Sequence, residues 1–473
     1  MPPPKTDLAS DDGLRVREAP AAPRRDRPAA DEGGDPWREV PAILARIPEL
    51  VFPDRDFLVT DFGATGDGRT DAQAGLLRAI ATCSEQGGGR VVIPPGDYLT
   101  GPLTLASHVN LHLAAGATLR FVADSCRYFP AVLTRWEGIE CLATAPLIQA
   151  RQQHHLAVTG EGTIDGGAGP GRWWDWAGPW DGDEPTGWAP GRPDQRPARR
   201  RMQAWGEADT PVAQRVFAAA DLIRPMGVQL HRCHDVLVAG VTLCNLPMWG
   251  VHPVFSRAVA VRGVRVVSRG PNNDGCVPDS SRDVLIEDCH FDTGDDCVAI
   301  KSGRNRDGRR VGVAAEDIVI RGCRMGEGHS GVAIGSEISG GVRRVFIDRC
   351  VMNSAHLDQA LRLKGNSARG GKVEQIRVRD VEVGRVREAA VRVDLGYDAA
   401  EEPGDQPPVV RDLRVERLRC AQSGRAVWIE GLPARPVRRV ELIDCGFDRV
   451  GAPNVLTHIE EFSARGTVFP APA

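Results

Sequence analysis

The 473-residue chain lacks any uninterrupted apolar run of about 18 residues, which excludes a transmembrane helix. Its first 35 residues also lack the apolar stretch of a signal peptide and are rich in proline and charge. We therefore expect residues 1–35 to form a disordered tail, and we expect the protein to be cytoplasmic. A mis-assigned start codon would hide a signal, and the protein would then be secreted or periplasmic.

A large net charge and closely spaced cysteine pairs are also missing. The formal net charge is −4, so nothing indicates a nucleic acid or an anionic membrane surface as partner. The twelve cysteines contain no C-x-x-C spacing, so a zinc site is not expected. We expect a monomer without a metal or other cofactor.

Helix-forming periodic runs are scarce, and what the chain contains instead is a repeat. The segment "VLIEDC" (284–289) has apolar residues at its first, third and sixth positions, which is the alternation of a half-buried strand. The pattern returns every 23 to 37 residues, which predicts an all-β solenoid, a parallel β-helix. The other copies are "VLVAGV" (236–241), "VAVRGV" (259–264), "IVIRGC" (318–323), "VFIDRC" (345–350), "IRVRDV" (376–381), "LRVERL" (413–418) and "VELIDC" (440–445).

The repeat also explains the cysteines. Cys289, Cys323, Cys350 and Cys445 share its sixth position, which predicts a ladder of small apolar side chains stacked inside the coil. Disulfides between neighbouring coils are not needed, and a cytoplasmic chain would keep the thiols reduced.

Two segments do not follow the repeat. "TDAQAGLLRAIATCSEQGGG" (70–89) predicts a helix that caps the first coil, with Thr70 or Asp71 as N-cap and Gly87 just past its end. Residues 166–215 hold most of the chain's ten tryptophans and form a long insertion, for which we expect order. Its tryptophans suit sugar rings and packing against the solenoid equally well. Residues 36–473 are thus expected to form one β-helix domain with an insertion at about 166–215.

Acidic residues cluster in "NNDGCVPDSSRDVLIEDCHFDTGDDC" (272–297). Asp274 precedes the pair Asp295 and Asp296 by 21 residues, which is about one coil. Stacked parallel strands lie about 4.8 Å apart, so the three carboxylates can share one patch. Both members of the pair face that patch only if the backbone turns there, which Gly294 permits.

The next coils add cations to the same patch. His329 lies 33 residues after Asp296, and Arg362 lies 33 residues after His329, with Lys364 two positions further on one strand face. Crowded carboxylates raise at least one pKa, which gives the acid and base that glycoside hydrolysis requires. Arg362 and Lys364 suit an anionic sugar carboxylate. The cluster therefore indicates hydrolysis of an acidic polysaccharide.

The motifs "NNDG", "GDDC", "GHSG" and "RLK", in this order, resemble those of glycoside hydrolase family 28, the polygalacturonase family. Longer segments also resemble bacterial, exo-acting members; these are "DFGATGDGRTD", "GTIDG" followed by "WWDW", "PDSSRDVLIEDC", "DDCVAIKSGRN" and "GVAIGSE". The resemblance spans roughly 40–460. It implies a right-handed parallel β-helix of the pectin-lyase-like type and inverting hydrolysis of α-1,4-galacturonosyl bonds in pectin.

The resemblance also implies roles for the matching residues. Asp295 would be the general acid, Asp274 and Asp296 would hold and activate water, and His329 would support protonation of the acid. The substrate-binding set would be Arg362, Lys364, Asn273, Lys301 and Tyr397. Lys301 and Arg304, which follow the Asp pair, are equally consistent with substrate contacts and with solvated loop charges. Departures from the family pattern are Asn273 for threonine, serine in "GHS", leucine in "RLK" and Val277 for a common aspartate.

Other functions remain compatible with the sequence. A polysaccharide lyase on this architecture would hold calcium with the same acids, but the histidine and the Arg-x-Lys spacing disfavour it. A rhamnogalacturonan or xylogalacturonan hydrolase and a non-catalytic carbohydrate-binding solenoid are further alternatives. The insertion and the likeness to exo-acting members favour exo action on polygalacturonate or its oligomers, with an acidic oligosaccharide as the only expected partner.

Overall fold

A computed structural model describes residues 35–180, 185–398 and 404–472. The expected tail therefore lies, except for Asp35, outside the described residues. The described chain is a right-handed parallel β-helix, as predicted, with three sheets that run the length of the solenoid. Among these residues, no helix combines the length and the apolar character needed to cross a membrane.

The first sheet carries the repeat and has thirteen parallel strands in the described chain. Its strands are Asp56–Leu58, Gly89–Ile93, Val109–Leu113, His154–Gly160, His234–Ala239, Arg257–Arg262, Arg282–Glu287, Ala315–Arg321, Val342–Asp348, Lys372–Arg379, Val409–Glu416, Val437–Ile443 and Ile459–Arg465.

The second sheet follows the first in each coil and has twelve described strands. They are Asp67–Asp71, Gly96–Thr100, Ala117–Phe121, Thr163–Asp165, Thr242–Cys244, Arg265–Ser268, His290–Thr293, Arg324–Met325, Val351–Met352, Glu382–Arg385, Arg419–Ser423 and Gly446–Val450.

The third sheet completes each coil and consists of two blocks. Isolated β-bridges of Cys276 and Asp279 join the two blocks. The first block holds Leu103–Thr104, Ile148–Arg151, Val228–His231 and Val251–Val254. The second holds Val298–Ile300, Gly328–Ile334, Leu357–Lys364, Ala389–Asp394, Arg425–Glu430 and Val455–Thr457.

Four α-helices are described: α1 (Val40–Leu44), α2 (Gln73–Glu85), α3 (Arg196–Glu207) and α4 (Asn305–Val311). Short 3-10 turns span Pro36–Glu39, Val59–Phe62, Ser125–Tyr128, Trp173–Ala177, Val212–Gln214 and Ala219–Asp221. The capping helix is α2, as expected. Its N-cap is Ala72 rather than Thr70 or Asp71, because Asp67–Asp71 is a strand; Asp71 still accepts a hydrogen bond from the Gln73 N–H.

The core confirms the repeat. The first, third and sixth residues of every copy are buried, and the sixth lies at the corner between the first and second sheets. Cys289, Cys323, Cys350 and Cys445 stack there, and all twelve cysteines are free. The thiols fill space inside the coil and act as small apolar groups.

The outer face of the first sheet carries a row of alternating charge. Glu316, Arg343 and Glu374 are register partners on successive strands, and Arg411 follows beside Glu374. Arg343 Nε lies 2.6 Å from Glu316 Oε2, and Arg411 Nη2 lies 2.7 Å from Glu374 Oε2. A one-residue slip would destroy every pair in the row, so the alternation adds to the specification of register.

Reversal of one charge in this row tests its contribution. We expect Glu374→Lys to place like charges on neighbouring strands and to lower the free energy of unfolding by about 1 kcal/mol, as partly exposed pairs do. Urea unfolding at low ionic strength measures the change, which shrinks in 1 M salt because exposed charges are screened. The matched control is Asp448→Lys, an exposed position on the second sheet that lies outside this row. An equal loss in both variants would contradict the interpretation.

Candidate active site

The acid cluster lies at the turn between the second and third sheets. Asp274 precedes Cys276 by two residues and Asp296 precedes Val298 by two, and Cys276 and Val298 are bridge partners. The 21-residue gap is therefore one coil, as predicted. One oxygen from each of the three carboxylates lies within 4.8 Å of the others.

Both members of the Asp pair face the site because the backbone bends between Thr293 and Val298. Gly294 is required there for close packing, since a Cβ would stand 2.3 Å from the Gly270 carbonyl oxygen of the preceding coil. The next coil bonds directly to this bend, with the His329 N–H donating to the Asp295 carbonyl oxygen at 3.0 Å. Main-chain hydrogen bonds thus fix the spacing of the reacting side chains.

Asp295 and His329 form an ion pair. His329 Nδ1 lies 3.2 Å from Asp295 Oδ1, and the Asp296 N–H donates to the same oxygen at 2.9 Å. Burial alone would raise the pKa of Asp295, but His329, with Lys364 and Lys301 beyond it, holds that pKa well below its usual range. Burial would lower the pKa of His329, but Asp295 outweighs it and raises that pKa to about 9.

Asp274 shows the opposite behaviour. Burial, reinforced by the charge of Asp295, holds the pKa of Asp274 well above its usual range. One carboxyl pKa of the cluster is thus raised, as expected, but burial is its main cause, and the affected residue is Asp274 rather than the expected acid Asp295. The reason is the position of His329, which neutralises Asp295 and not Asp274.

Two lysines supply the counter-charge of the cluster. Lys364 Nζ donates to Asp296 Oδ2 at 2.7 Å, and Lys301 Nζ lies 3.9 Å from Asp274 Oδ2. Both side chains are about 5% exposed. The acids thus have built-in cationic partners, and any substrate carboxylate must share these charges.

Arg362 and Tyr397 stand beside Lys364. Arg362 pairs with Asp394 at 3.1 Å, and the Tyr397 ring packs against both cations, 5.0 Å from the Arg362 guanidinium and 5.1 Å from Lys364 Nζ. Arg362 and Lys364 therefore share one strand face, as the sequence indicated. They do not follow His329 in register, because Arg362 lies opposite Ala333 on the neighbouring strand.

The structure does not bring Asn273 to the pocket. Its amide is fully buried and serves the turn itself, accepting from Ser268 Oγ at 2.6 Å and donating to the Leu246 carbonyl oxygen at 3.0 Å. The preceding residue, Asn272, lines the pocket and donates to Asp295 Oδ2 at 3.4 Å. Asn272 has a positive φ of 54°, which turns its side chain opposite to that of its neighbour.

Asp274 and Asp295 line a pocket at this turn. Several of its residues had no signal in the repeat, because they lie in loops outside it. The lining set is Glu137, Arg199, Trp249, Asn272, Asp274, Asp295, Lys301, Arg304, Ser336, Glu337, Lys364, Tyr397 and Asp398.

An unpredicted hairpin closes one side of this pocket. Strands Val132–Trp136 and Ile139–Ala143 are antiparallel and lie across the third sheet, where the buried Arg135 pairs with Asp279 at 3.1 Å. At the hairpin tip, the Gly138 carbonyl oxygen accepts from the Arg304 N–H at 3.3 Å. Arg304 is therefore buried and not a solvated loop charge.

The insertion reinforces the hairpin. Arg199 of α3 lies 2.6 Å from Glu137 at the hairpin tip, and both line the pocket. Trp173 and Trp174 are buried against the solenoid, whereas Trp180 stacks at 6.0 Å on His329. Packing against the solenoid, one of the two uses that the sequence left open for the tryptophans, thus occurs, whereas contact with a sugar ring stays a prediction; residues 181–184 lie outside the described chain.

Known proteins are similar to this chain in sequence and in fold. The family model described as glycosyl hydrolases family 28 matches residues 218–445, and a rhamnogalacturonase A/epimerase, pectate lyase-like model matches 57–117. A probable polygalacturonase of Vitis vinifera is 29% identical over 80% of this chain and 71% of its own. A family 28 exopolygalacturonase structure from Yersinia enterocolitica, 21% identical, superposes over 89% of this chain and 77% of its own with a TM-score of 0.68.

A hyperthermoactive exopolygalacturonase structure from Thermotoga maritima is more similar. It is 42% identical, covers 92% of this chain and 97% of its own, and superposes with a TM-score of 0.87. The four motifs of the resemblance, the solenoid and the clustered acids agree with these matches, and the chain belongs to glycoside hydrolase family 28.

Proposed function

We propose that this enzyme hydrolyses α-1,4-galacturonosyl bonds of polygalacturonate or its oligomers and acts from a chain end. The observation that carries the proposal is the site itself, in which the cluster of three carboxylates lies beside two lysines, with the Arg362–Tyr397 pair next to Lys364 and a hairpin tip on one side of the pocket. Acids are needed to cleave the glycosidic bond, and cations are needed to accept a uronate. The relatives described as exopolygalacturonases support the same substrate and the same mode of action.

Protonation of the leaving oxygen is the role proposed for Asp295. Its partner His329 holds a proton at neutral pH, and the contact of 3.2 Å lets the pair hold that proton jointly. When substrate displaces water from the pocket, the ion pair is desolvated, which favours the neutral acid. His329 thus serves as the proton reservoir for Asp295.

Activation of water is the role proposed for Asp274 and Asp296. Asp274 Oδ1 and Asp296 Oδ1 are both buried, and neither has a hydrogen-bond donor among the described residues. They belong to register positions on adjacent coils, so one water between them can contact both. Lys364 holds the other oxygen of Asp296 and keeps that carboxylate oriented.

Substrate carboxylate binding falls to Arg362, Lys364 and Tyr397. The Tyr397 ring holds both cations through cation–π contacts, and the two side chains remain about 12% and 5% exposed. Lys364 is shared between Asp296 and the incoming uronate, which couples sugar recognition to the catalytic acids. A neutral sugar in this position would forfeit the charge-assisted bonds.

Action from a chain end follows from the closed side of the pocket. The hairpin and α3 cover the coils that precede Asp274 and meet at the Glu137–Arg199 pair. A polymer cannot continue through this wall, so only a terminal sugar fits between the wall and the acids. An internal bond of a long chain would reach the acids only if the hairpin moved.

Product analysis tests the proposed function. With polygalacturonate, we expect mono- or digalacturonate from the earliest time points, because the wall admits only a chain end. Asp295→Asn should reduce the rate by at least about 10²-fold, since general acid catalysis contributes that much. Chromatography of early products with wild type and variant measures both effects.

A ladder of mixed oligomers at early times would contradict exo action but leave hydrolysis intact. Chelator-sensitive absorbance from unsaturated uronides, without a matching hydrolytic product, would instead indicate β-elimination. Unchanged behaviour of Asp295→Asn would indicate a binding protein. Rhamnogalacturonan and xylogalacturonan in the same assay test the substrate.

The pH profile tests the reservoir role of His329. Because the pKa of His329 is raised to about 9, its proton is present at neutral pH and lost as pH rises through about 9. The alkaline limb of kcat/KM should therefore lie near pH 9. In His329→Gln, Asp295 must keep its proton alone, so this limb should move to lower pH by at least about one unit. His356→Gln, at an exposed position on the following turn, is the control, and an unmoved limb in His329→Gln would refute the role.

The anomeric configuration of the first product tests the role of the water. Inverting enzymes with two carboxylates usually separate them by about 6.5–9.5 Å, but the three carboxylates here approach within 4.8 Å. We expect inversion nevertheless, because two of the acids hold the water and the third protonates the leaving group. Proton NMR during the first turnovers should show the β-anomer. Initial release of the α-anomer would mean direct attack by a carboxylate.

A further inference from the structure

Glu337 is a buried acid that the proposed reaction steps do not use. It follows strand Gly328–Ile334, is 5% exposed and lines the pocket. Its carboxylate accepts a hydrogen bond from Lys301 Nζ at 2.9 Å and contacts Arg304 at 3.5 Å. A buried carboxylate with these partners remains an anion and fixes the cations around it.

Lys301 is held in one place by this acid. Its Nζ also donates to the Gly335 carbonyl oxygen at 3.1 Å and lies 4.7 Å over the Trp249 ring. Two of its three N–H groups are therefore occupied within the protein, and 6% of the side chain is exposed. The sequence left open whether Lys301 contacts substrate or is a solvated loop charge, and these contacts show that it is buried with its Nζ held within the protein.

The segment that carries Glu337 is itself fixed. The buried Arg369 donates from Nε to the Ser336 carbonyl oxygen at 3.0 Å, and the Ser302 N–H donates to the Glu337 carbonyl oxygen at 2.6 Å. The Ser339 N–H donates to the Gly303 carbonyl oxygen at 2.9 Å. The loops that follow Lys301 and Gly335 are thus joined along adjacent coils, which fixes the backbone next to Lys301.

We propose that Lys301 and Glu337 are a positioning pair that sets the protonation of Asp274 from the coils behind it. Lys301 Nζ stands 3.9 Å from Asp274 Oδ2, too far for a good hydrogen bond but close enough for a strong charge effect. The negative charge of Glu337 weakens the effect of Lys301 on Asp274, and its hydrogen bond holds the Lys301 ammonium in place. The inference rests on the proposed function, in which Asp274 must be ionised to activate water.

The surrounding charges agree with this arrangement. Asp274 is faced by Asp295, Asp296, Lys301 and Lys364; burial and the two acids raise its pKa, whereas the lysines lower it. Glu337 is faced by Lys301, Arg304 and Arg369, which overcome burial and hold its pKa well below its usual range. Lys301 is therefore a fixed cation beside the base, and Glu337 is a fixed anion behind it.

Two variants should move the acidic limb of the pH profile in opposite directions. In Glu337→Gln, the amide oxygen still accepts from Lys301, but the negative charge is gone, so Asp274 ionises more easily and the acidic limb of kcat/KM moves to lower pH. In Lys301→Met, the cation is gone and the limb moves to higher pH. The shift in Lys301→Met should be about one pH unit or more, because Lys301 Nζ lies 3.9 Å from Asp274 Oδ2 in a buried site. The shift in Glu337→Gln should be smaller, because Glu337 acts on Asp274 from behind Lys301.

Matched variants separate charge from structure. Lys301→Arg keeps the cation and should hold the limb near its wild-type position, and Glu382→Gln removes an exposed acid of the second sheet and should leave the profile unchanged. Thermal unfolding followed by circular dichroism shows that each variant is folded at the assay temperature.

The outcomes are distinct. The pair's role in protonation is overturned if the acidic limb of kcat/KM stays in place, or if it moves in the same direction in both variants. This holds even if kcat falls. If wild type fails to hydrolyse galacturonan at all, the proposed function fails, and the pair is then judged by the carboxyl titration of the free protein. Carbon NMR follows that titration. If the raised pKa of Asp274 is the same in wild type and in both variants, the proposal is also overturned.

Discussion

The whole site depends on the stacking of parallel strands, which brings residues one coil apart to within a single strand spacing. Main-chain hydrogen bonds run from the His329 N–H to the Asp295 carbonyl oxygen and from the Gly275 N–H to the Asp296 carbonyl oxygen. Each bond brings together two residues that are 21 or 34 positions apart in the sequence. The scaffold therefore supplies the proximity that the chemistry requires, at a spacing that ordinary β-geometry dictates.

That proximity carries an electrostatic cost, and the site meets it with cations from later coils. Three carboxylates within 4.8 Å repel one another, and burial removes most of the screening by water. Lys364 reaches back from two coils further along to Asp296, and Lys301 stands beside Asp274. Because the acids have different surroundings, their pKa values differ. Different pKa values allow one carboxyl group to act as an acid and another as a base in the same pocket.

The repeat could be read from the sequence because its signal is periodic. The buried rows, the cysteine ladder, the capping helix and the approach of Asp274 to Asp295 and Asp296 all follow from spacing, and the structure confirms them. The hairpin at 132–143 could not be predicted in this way, because it interrupts the repeat and its partners are distant in sequence. Arg135 meets Asp279, and no local pattern marks that contact.

The burial of individual charges was also beyond the sequence. Nothing in the sequence distinguishes Arg304 and Glu337 from solvated loop charges. In the structure, both side chains are buried by residues of neighbouring coils. Asn272 and Asn273 are adjacent and chemically identical, yet backbone dihedrals alone decide that the first faces the pocket. The sequence analysis chose Asn273 for substrate binding, and the structure places Asn272 at the pocket instead.

The regular coils and the irregular segments of the molecule thus have different roles. The coils hold the acids, His329 and the strand with Arg362 and Lys364 at fixed positions relative to one another. A substitution or insertion in these coils therefore alters the chemistry. The hairpin and α3 lie outside the coil, and they form the wall of the pocket through Glu137 and Arg199. Loops tolerate insertion far better than stacked strands do, so access to the acids can change while the reacting groups stay in place. Within one solenoid, cleavage chemistry and the choice between chain end and chain interior are therefore physically separable.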